Sequence, residues 1–198
     1  MKIEVASDVV CPWCYIGKRR LEKALALLKD EIKPQLRWLP FQLNPGMPKE
    51  GMPRAEYRKA KFGSLERSRA LDARVIAEGK SEGIEFAFDR IERTPNTSEA
   101  HKLIALAENQ NAVVDALFRA YFEEAKDIGD PAVLAEIAAR CGVKGWPEEA
   151  RDVSAVEEEV RAMGISAVPT FIFERRSGVS GAYPAEQLAA AMREAITR

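Results

Sequence analysis

Two cysteines at positions 11 and 14 are the residues of this chain best suited to carry out a reaction. Cys11 and Cys14 stand in the segment Cys-Pro-Trp-Cys, so their thiols lie one helical turn apart if the segment is helical. Two thiols at that spacing can cycle between a dithiol and a disulfide. The spacing therefore makes thiol–disulfide exchange the leading hypothesis for this protein.

The surroundings of the pair indicate which thiol reacts first. Lys2 to Val5 predicts a short strand, and apolar residues recur at helical spacing from Leu21 to Leu28, so the pair lies where a strand leads into a helix. Pro12 suits the first helical position and places Cys11 at the N-cap. The free amide groups and the positive end of a helix favour a thiolate there. We predict that Cys11 is the nucleophile and Cys14 the resolving thiol, with the Cys11 sulfur facing those amide groups.

A zinc site and a purely structural role are the alternatives for these thiols. Zinc usually needs four ligands, and the remaining candidates, Cys141 and the single His101, are distant in sequence and unpaired. We therefore expect no metal. Cys141 ends a predicted helix just before Gly142, which favours a packing role for its side chain.

Composition and charge narrow the class of protein further. The chain has 198 residues, of which 46% are hydrophobic, enough for one core or for a domain with a large insertion. Its formal net charge is -1, with both signs interspersed, so we expect neither nucleic acid nor a membrane as a partner. The N-terminus lacks a long apolar segment, because Glu4 and Asp8 interrupt it. We expect a cytoplasmic protein, with a removed signal peptide as the alternative.

The remaining pattern is α/β at both ends and helical in the middle. A second strand is predicted at Gln35–Gln42, before a turn-rich stretch. Helices are then predicted at Glu56–Lys61, Leu65–Glu82, Thr97–Asn109, Val113–Lys126, Pro131–Cys141 and Glu148–Met163, with Asn96 and Glu99 as an N-cap pair. Strands at Thr170–Glu174 and Gly178–Gly181 and a helix at Pro184–Thr197 follow. We divide the chain into one domain at 1–48 and 146–198 and a helical insertion at 49–145.

A proline at the start of an apolar strand is the second chemical feature. Pro169 cannot donate a ladder hydrogen bond, and an ordinary edge strand would explain it alone. Beside a Cys-x-x-Cys motif, Val168–Pro169 becomes a candidate cis peptide. Such a bond would leave the backbone groups of Val168 free for a substrate strand.

Several short segments, spread over nearly the whole chain, resemble those of the DsbA-family FrnE-like proteins. They are Cys11–Cys14 after Asp8, Phe41–Pro45, Asn96–His101, Leu117–Phe122 and Val168–Thr170. The resemblance implies an α/β thioredoxin fold interrupted by a large α-helical insertion, as in DsbA. It also implies that the two cysteines face a cis-proline loop and that the insertion roofs the cleft between them.

The resemblance carries over to this chain residue by residue. It implies that Cys11 attacks, that Cys14 is its partner, and that Pro169 is the cis-proline preceded by substrate-binding Val168. Further substrate contacts are expected from the motif and from the insertion, at Pro12, Trp13, Asn96, Thr97 and His101.

For three of these insertion residues a local role is the alternative. Asn96 and Thr97 would serve equally as helix caps, and His101 as a packed residue beside an apolar stripe.

The residues that could accept a proton near the thiols differ from those of thioredoxin. The first strand carries apolar Val5 where thioredoxin has a buried acidic residue. Asp8, three residues before Cys11, is the candidate to accept a proton or tune the thiol, although an aspartate in a turn often only bonds the backbone.

Three classes of function follow from these observations. A thiol–disulfide oxidoreductase, acting on protein disulfides or dithiols or on glutathione, fits best, and a reductase suits a reducing cytoplasm better than an export oxidase does. The same superfamily includes glutathione-dependent hydroxychromene-carboxylate isomerases and kappa-class transferases, which usually have serine where this chain has Cys11. A non-catalytic binding protein is the third class. We expect no cofactor beyond glutathione as a substrate or ligand, and either a monomer or a homodimer.

Overall fold

The chain alternates strands and helices at its two ends and is helical between them. The computed structural model describes residues 1–197. In order along the chain, its elements are β1 (Lys2–Ser7), α1 (Pro12–Leu27), β2 (Gln35–Pro40), β3 (Met52–Pro53), α2 (Arg54–Phe62), α3 (Leu65–Ser81), β4 (Arg93–Thr94), α4 (Ser98–Leu106), α5 (Gln110–Phe122), α6 (Pro131–Arg140), α7 (Ser154–Ala162), β5 (Thr170–Phe173), β6 (Ser177–Ser180) and α8 (Ala185–Thr197).

A four-stranded sheet in the order β2-β1-β5-β6 supports the two thiols. β1 pairs in parallel with β2 and antiparallel with β5, and β5 pairs antiparallel with β6. Side chains alternate across β1: Ile3 and Val5 belong to the main core, which α1 and α8 help to form, whereas Ala6 packs with Leu39 and Val160. Because both faces are covered, β1 is buried from Ile3 to its end and forms a rigid base for the loop that follows it.

Helices α2 to α6 lie between β2 and α7 in the chain, and aromatic and charged contacts join them to α1. Tyr15 of α1 stacks on Phe118 of α5, with 4.9 Å between the ring centroids. The fully buried Lys18 of α1 is 3.0 Å from Asp115 of α5. The short strands β3 and β4, which α2 and α3 separate along the chain, pair antiparallel and bring the start of α2 next to the segment before α4. The predicted division at residues 48/49 and 145/146 stays a prediction.

Two sequence-based expectations about elements were wrong in detail, and one pair of strands was missed. The helix expected at Glu148–Met163 begins only at Ser154, because Asp152 accepts the Ser154 N–H at 3.1 Å and starts the helix there. Asn96 and Glu99 do not form an N-cap pair: the N-cap is Thr97, and Asn96 instead accepts the Ser98 N–H. The pairing of β3 with β4 was not predicted, because two-residue strands leave no alternating pattern.

None of the helices within residues 1–197 has the length and apolar character required to cross a membrane.

Candidate active site

The loop after β1 turns the chain into α1 and places Cys11 at the start of that helix. The Cys11 N–H donates to the Asp8 carbonyl at 3.0 Å, and the Cys11 carbonyl accepts the Cys14 N–H at 3.0 Å. Cys11 is the N-cap residue, as the sequence predicted. Its sulfur, however, makes no capping hydrogen bond, so that part of the prediction was wrong. The Cys11 Sγ lies instead 3.8 Å from the Val168 carbonyl oxygen, on the loop opposite α1.

The second thiol is more deeply buried than the first. Both are free thiols, with Cys11 5% and Cys14 1% exposed. Burial, followed by a hydrogen bond to Cys11 and its charge, raises the pKa of Cys14 well above its usual value, against the smaller effects of the Asp8 N–H and the Ser7 hydroxyl. Cys14 therefore keeps its proton at neutral pH and can share it with the Cys11 sulfur, whereas a thiolate is needed for attack.

The loop before β5 closes the site from the other side. Its Val168–Pro169 peptide bond is cis, with Pro169 buried and Val168 partly exposed. The Pro169 carbonyl accepts the Gly181 N–H at 2.7 Å, whereas no group within residues 1–197 accepts the Val168 N–H. The Val168 backbone thus presents an unused donor beside Cys11.

Gly17 allows α1 to approach this loop, and sequence reasoning missed it. A Cβ atom at position 17 would lie 2.8 Å from the Pro169 Cγ and 3.2 Å from the Phe171 ring. Glycine inside a helix is unfavourable by about 0.5–1 kcal/mol relative to alanine, so its presence there was the available signal of close packing.

Asp8 and His101 form a buried pair behind the thiols. Asp8 is 0% and His101 4% exposed, and the His101 Nε2 lies 3.3 Å from the Asp8 Oδ1. The other oxygen, Oδ2, accepts the Leu43 N–H at 2.7 Å. The structure thus brings a histidine of α4 to the loop before α1, across 93 residues of sequence.

Asn96 and Thr97 hold a turn instead of reaching the thiols. The Asn96 side-chain amide donates to the Met47 carbonyl at 2.7 Å, and Thr97 is buried at the start of α4. Among the described residues, those that line the cavity beside Cys11 include neither of these two nor His101. Their contact with substrate stays a prediction.

A cavity of about 270 Å³ opens beside the first thiol. Cys11, Pro12 and Trp13 of the α1 end line it, and α2 and α3 form its opposite wall. That wall, which we call the roof, carries the charged side chains Arg54, Arg58, Lys61, Asp72 and Arg74. Sequence reasoning missed these residues, although positions 54, 58 and 61 have the spacing of one helix face.

The third cysteine, Cys141, does not line this cavity. Cys141 ends α6, and its thiol is 3.8 Å from the Ala112 carbonyl of α5, where burial raises its pKa. Within residues 1–197, no three histidine, cysteine or acidic side chains group in a way that could hold a metal ion.

Comparison with known proteins gives a match along almost the whole chain. Residues 2–193 match the family described as DSBA-like thioredoxin domain. An uncharacterized protein of Bacillus subtilis (strain 168), YwbO, is 28% identical over 182 residues, which cover 86% of this chain and 85% of that protein.

Two solved structures illustrate the likeness. The crystal structure of a "probable DsbA oxidoreductase" from Streptomyces coelicolor has 32% identity and a TM-score of 0.89, with 100% of this chain and 91% of that one covered. The "cytosolic disulfide reductase DsbM" of Pseudomonas aeruginosa, solved with GSH, is 18% identical with a TM-score of 0.64, covering 100% and 96%. These matches confirm the predicted fold class, a thioredoxin fold with a large helical insertion.

Proposed function

Because the chain belongs to the DSBA-like thioredoxin family, we propose that it is a thiol–disulfide oxidoreductase that works through Cys11 and Cys14. The observation that carries this proposal is the arrangement of two free thiols on the first turn of α1, with the Cys11 sulfur 3.8 Å from the Val168 carbonyl. The Cys11 sulfur lies between the start of α1 and the Val168 backbone, whose N–H is unused. A substrate main chain that binds this N–H would bring its disulfide to the Cys11 sulfur.

The proposed reaction is an exchange in two steps. The Cys11 thiolate attacks one sulfur of a substrate disulfide, which forms a mixed disulfide and releases the other substrate sulfur as a thiolate. Cys14 then loses its proton and attacks the Cys11 sulfur, which forms the Cys11–Cys14 disulfide and releases the second thiolate. The substrate gains two electrons and the protein loses two, and a dithiol or two thiols from the surroundings restore it. Oxidation of a substrate is the same sequence in reverse.

The neighbours of Cys14 support these roles. Burial favours its neutral thiol, so it does not compete with Cys11 for the first attack. In the second step its sulfur becomes negative, and the Asp8 N–H, which acts to lower the pKa of Cys14, favours that charge. We assign Asp8 as a positioning residue, because its carboxylate is held by Leu43 and His101 while its N–H faces Cys14.

Substrates, location and assembly form the finer part of the proposal. The unused Val168 N–H fits the main chain of a protein substrate, and the small cavity fits a small thiol such as glutathione. DsbM, which shares the fold, is described as a cytosolic disulfide reductase and was solved with GSH. This likeness in fold supports a reductase that uses a small thiol. We therefore propose a reductase of protein or small-molecule disulfides in the cytoplasm, either a monomer or a homodimer, with no nucleic acid or membrane partner.

The direct test equilibrates the protein across glutathione redox buffers, followed by acid quench, thiol blocking and intact-mass analysis. We expect a two-electron transition between the dithiol and the Cys11–Cys14 disulfide. Cys11→Ser should abolish turnover, because the attacking sulfur is lost, while Cys14→Ser should accumulate mixed disulfides. Cys141→Ser is the matched control and should behave as the unmodified protein does.

Two results would contradict this function. Full exchange activity in Cys11→Ser would remove the proposed nucleophile. A pair that never closes, in a protein that retains glutathione as a ligand or stable adduct, would favour a glutathione-dependent isomerase or transferase instead.

A further inference from the structure

The cavity beside Cys11 has an unusual balance of charge. Among the residues of the described chain that line it, cationic side chains outnumber acidic ones by four to one: Arg54, Arg58, Lys61 and Arg74 against Asp72. The chain as a whole has 30 basic and 31 acidic residues, so the cavity departs strongly from the average. All of these charges belong to the roof, opposite the thiol.

A single carboxylate is shared by two guanidinium groups at the centre of the roof. The Arg54 Nη2 lies 3.2 Å from the Asp72 Oδ2, and Arg58 binds the other oxygen of the same carboxylate. Both arginine side chains are only 12% exposed. One negative charge between two positive ones leaves a net positive charge in a partly desolvated place, which a bound anion would neutralise.

Burial opposes the charged state of this cluster. It lowers the pKa of Arg58, and it raises the pKa of Asp72 despite both arginines. Ion pairs that gain little from their own pairing are weak contributors to stability, and such groups gather at functional sites. Arg58 also donates to the Ser68 hydroxyl and carbonyl of α3, so the cluster joins α2 to α3 and still carries a net positive charge beside the cavity that an anionic ligand can use.

Aromatic rings hold the cationic groups in place. The Arg58 guanidinium lies 4.4 Å from the centroid of the Phe62 ring, and that of Arg54 lies 5.1 Å from the Phe88 ring. The Lys61 Nζ donates to the Tyr57 hydroxyl at 2.5 Å. These contacts restrict the side chains before any ligand arrives, so that an anion meets a preorganised set of donors.

The volume of the cavity limits the size of the ligand that it can hold. About 270 Å³ is just below the range of about 300–1,000 Å³ typical of small-molecule sites, and too little for a folded protein segment. We propose, on the basis of the function proposed above, that the cavity selects low-molecular-weight disulfides carrying carboxylates. One carboxylate is bound by Arg54, Arg58 and Lys61, while the adjacent disulfide sulfur meets Cys11. The bond changes are those already given, ending in two small thiols and the Cys11–Cys14 disulfide.

The test is a single-turnover comparison of two probes of nearly equal shape. The reduced protein is mixed with dithiodipropionate, which carries two carboxylates, or with its neutral diamide, and formation of the Cys11–Cys14 disulfide is followed by acid quench and mass analysis. Both rates are divided by the rates of the same probes with a small dithiol. We expect the corrected rate of the dianion to exceed that of the diamide about five- to tenfold at low salt, and less at high salt.

Variants of α2 assign the selectivity to the roof. Lys61→Gln should lower the ratio of dianion to diamide rates about two- to threefold, and Arg58→Gln about fivefold. Arg58→Lys keeps the charge and should retain most of the ratio, which separates loss of charge from misfolding. Lys59→Gln, an exposed change on the same helix outside the cavity, is the matched control and should leave the ratio unchanged.

The outcomes separate this inference from the function on which it rests. If neither probe produces the Cys11–Cys14 disulfide, the proposed function fails. Equal corrected rates for both probes, with the disulfide formed in each, would leave the function standing and overturn the inference. A ratio that is unchanged in both Lys61→Gln and Arg58→Gln would likewise overturn it.

Discussion

The two walls of the cavity are built differently. On the α1 side, Cys14, Tyr15, Ile16 and Gly17 are all buried, and the helix packs directly against the Pro169 loop. On the roof side, α2 has no buried residue and reaches the rest of the protein through side chains such as Arg54 and Arg58. The wall that holds the thiols is therefore fixed by close packing, whereas α2 of the roof is held through charged side chains.

Buried carboxylates show the same contrast. On α7, away from the cavity, burial alone would raise the pKa of Glu157, but the Gln42 backbone and side-chain N–H groups and Arg161 outweigh it and lower that pKa. In the roof, burial prevails and raises the pKa of Asp72. The hydrogen bonds of Glu157 therefore favour its charged form and stabilise the fold, whereas the charged form of Asp72 is disfavoured and contributes less.

Burial on the α1 side predicts a strong pH dependence for the reaction of Cys14. Because burial raises the pKa of Cys14, only a small fraction is thiolate at neutral pH, and this fraction changes about tenfold per pH unit below the pKa. We expect closure of the Cys11–Cys14 disulfide from a preformed mixed disulfide at Cys11 to accelerate by that factor as the pH rises from about 6. Rapid quench and mass analysis in a Cys141→Ser background measure it. A rate independent of pH would contradict the role of burial.

Close packing on the α1 side predicts the next effect. In Gly17→Ala the new methyl group would meet Pro169 and Phe171, and we expect the free energy of unfolding to fall by about 1–3 kcal/mol. Gly46→Ala is the matched control, since nothing lies within 4 Å of a Cβ there. Urea denaturation of both variants measures the difference. Equal stability of the two variants would show that α1 can move away from the Pro169 loop.

A smaller effect is expected for Glu157, the carboxylate whose pKa is lowered, in contrast to that of Asp72. Glu157→Gln should lower the free energy of unfolding by about 0.5–1.5 kcal/mol at neutral pH, because it weakens the bonds to Gln42 and Arg161. The folded protein has the lower Glu157 pKa, so this stability is present above the unfolded pKa of about 4.3 and is lost as the pH falls through the folded pKa. Denaturation curves from pH 7 downwards should therefore converge for the two proteins. A constant difference at all pH values would contradict the linkage.

Local features of the site could be read from the sequence. The Cys-Pro-Trp-Cys spacing, Pro12 at the first helical position and Cys11 at the N-cap all depend on neighbouring residues, and helix propensity acts over that range. Pro131 likewise marks the start of α6, with Asp130 as its cap. The helix at 148–163 was placed too early, because a turn-forming aspartate inside a polar stretch leaves little periodic signal.

Contacts between distant parts of the chain could not be read in this way. Asp8 and His101 were both noted, but their pairing was not foreseen. Neither the packing of Gly17 against Pro169 nor the sharing of Asp72 by the roof arginines was foreseen either. The position of the paired thiols and the start of the helix that carries them could be predicted from neighbouring residues. The tertiary structure alone decided what surrounds those thiols, because burial, close packing and charge pairing depend on how separate elements meet in space and leave no local pattern.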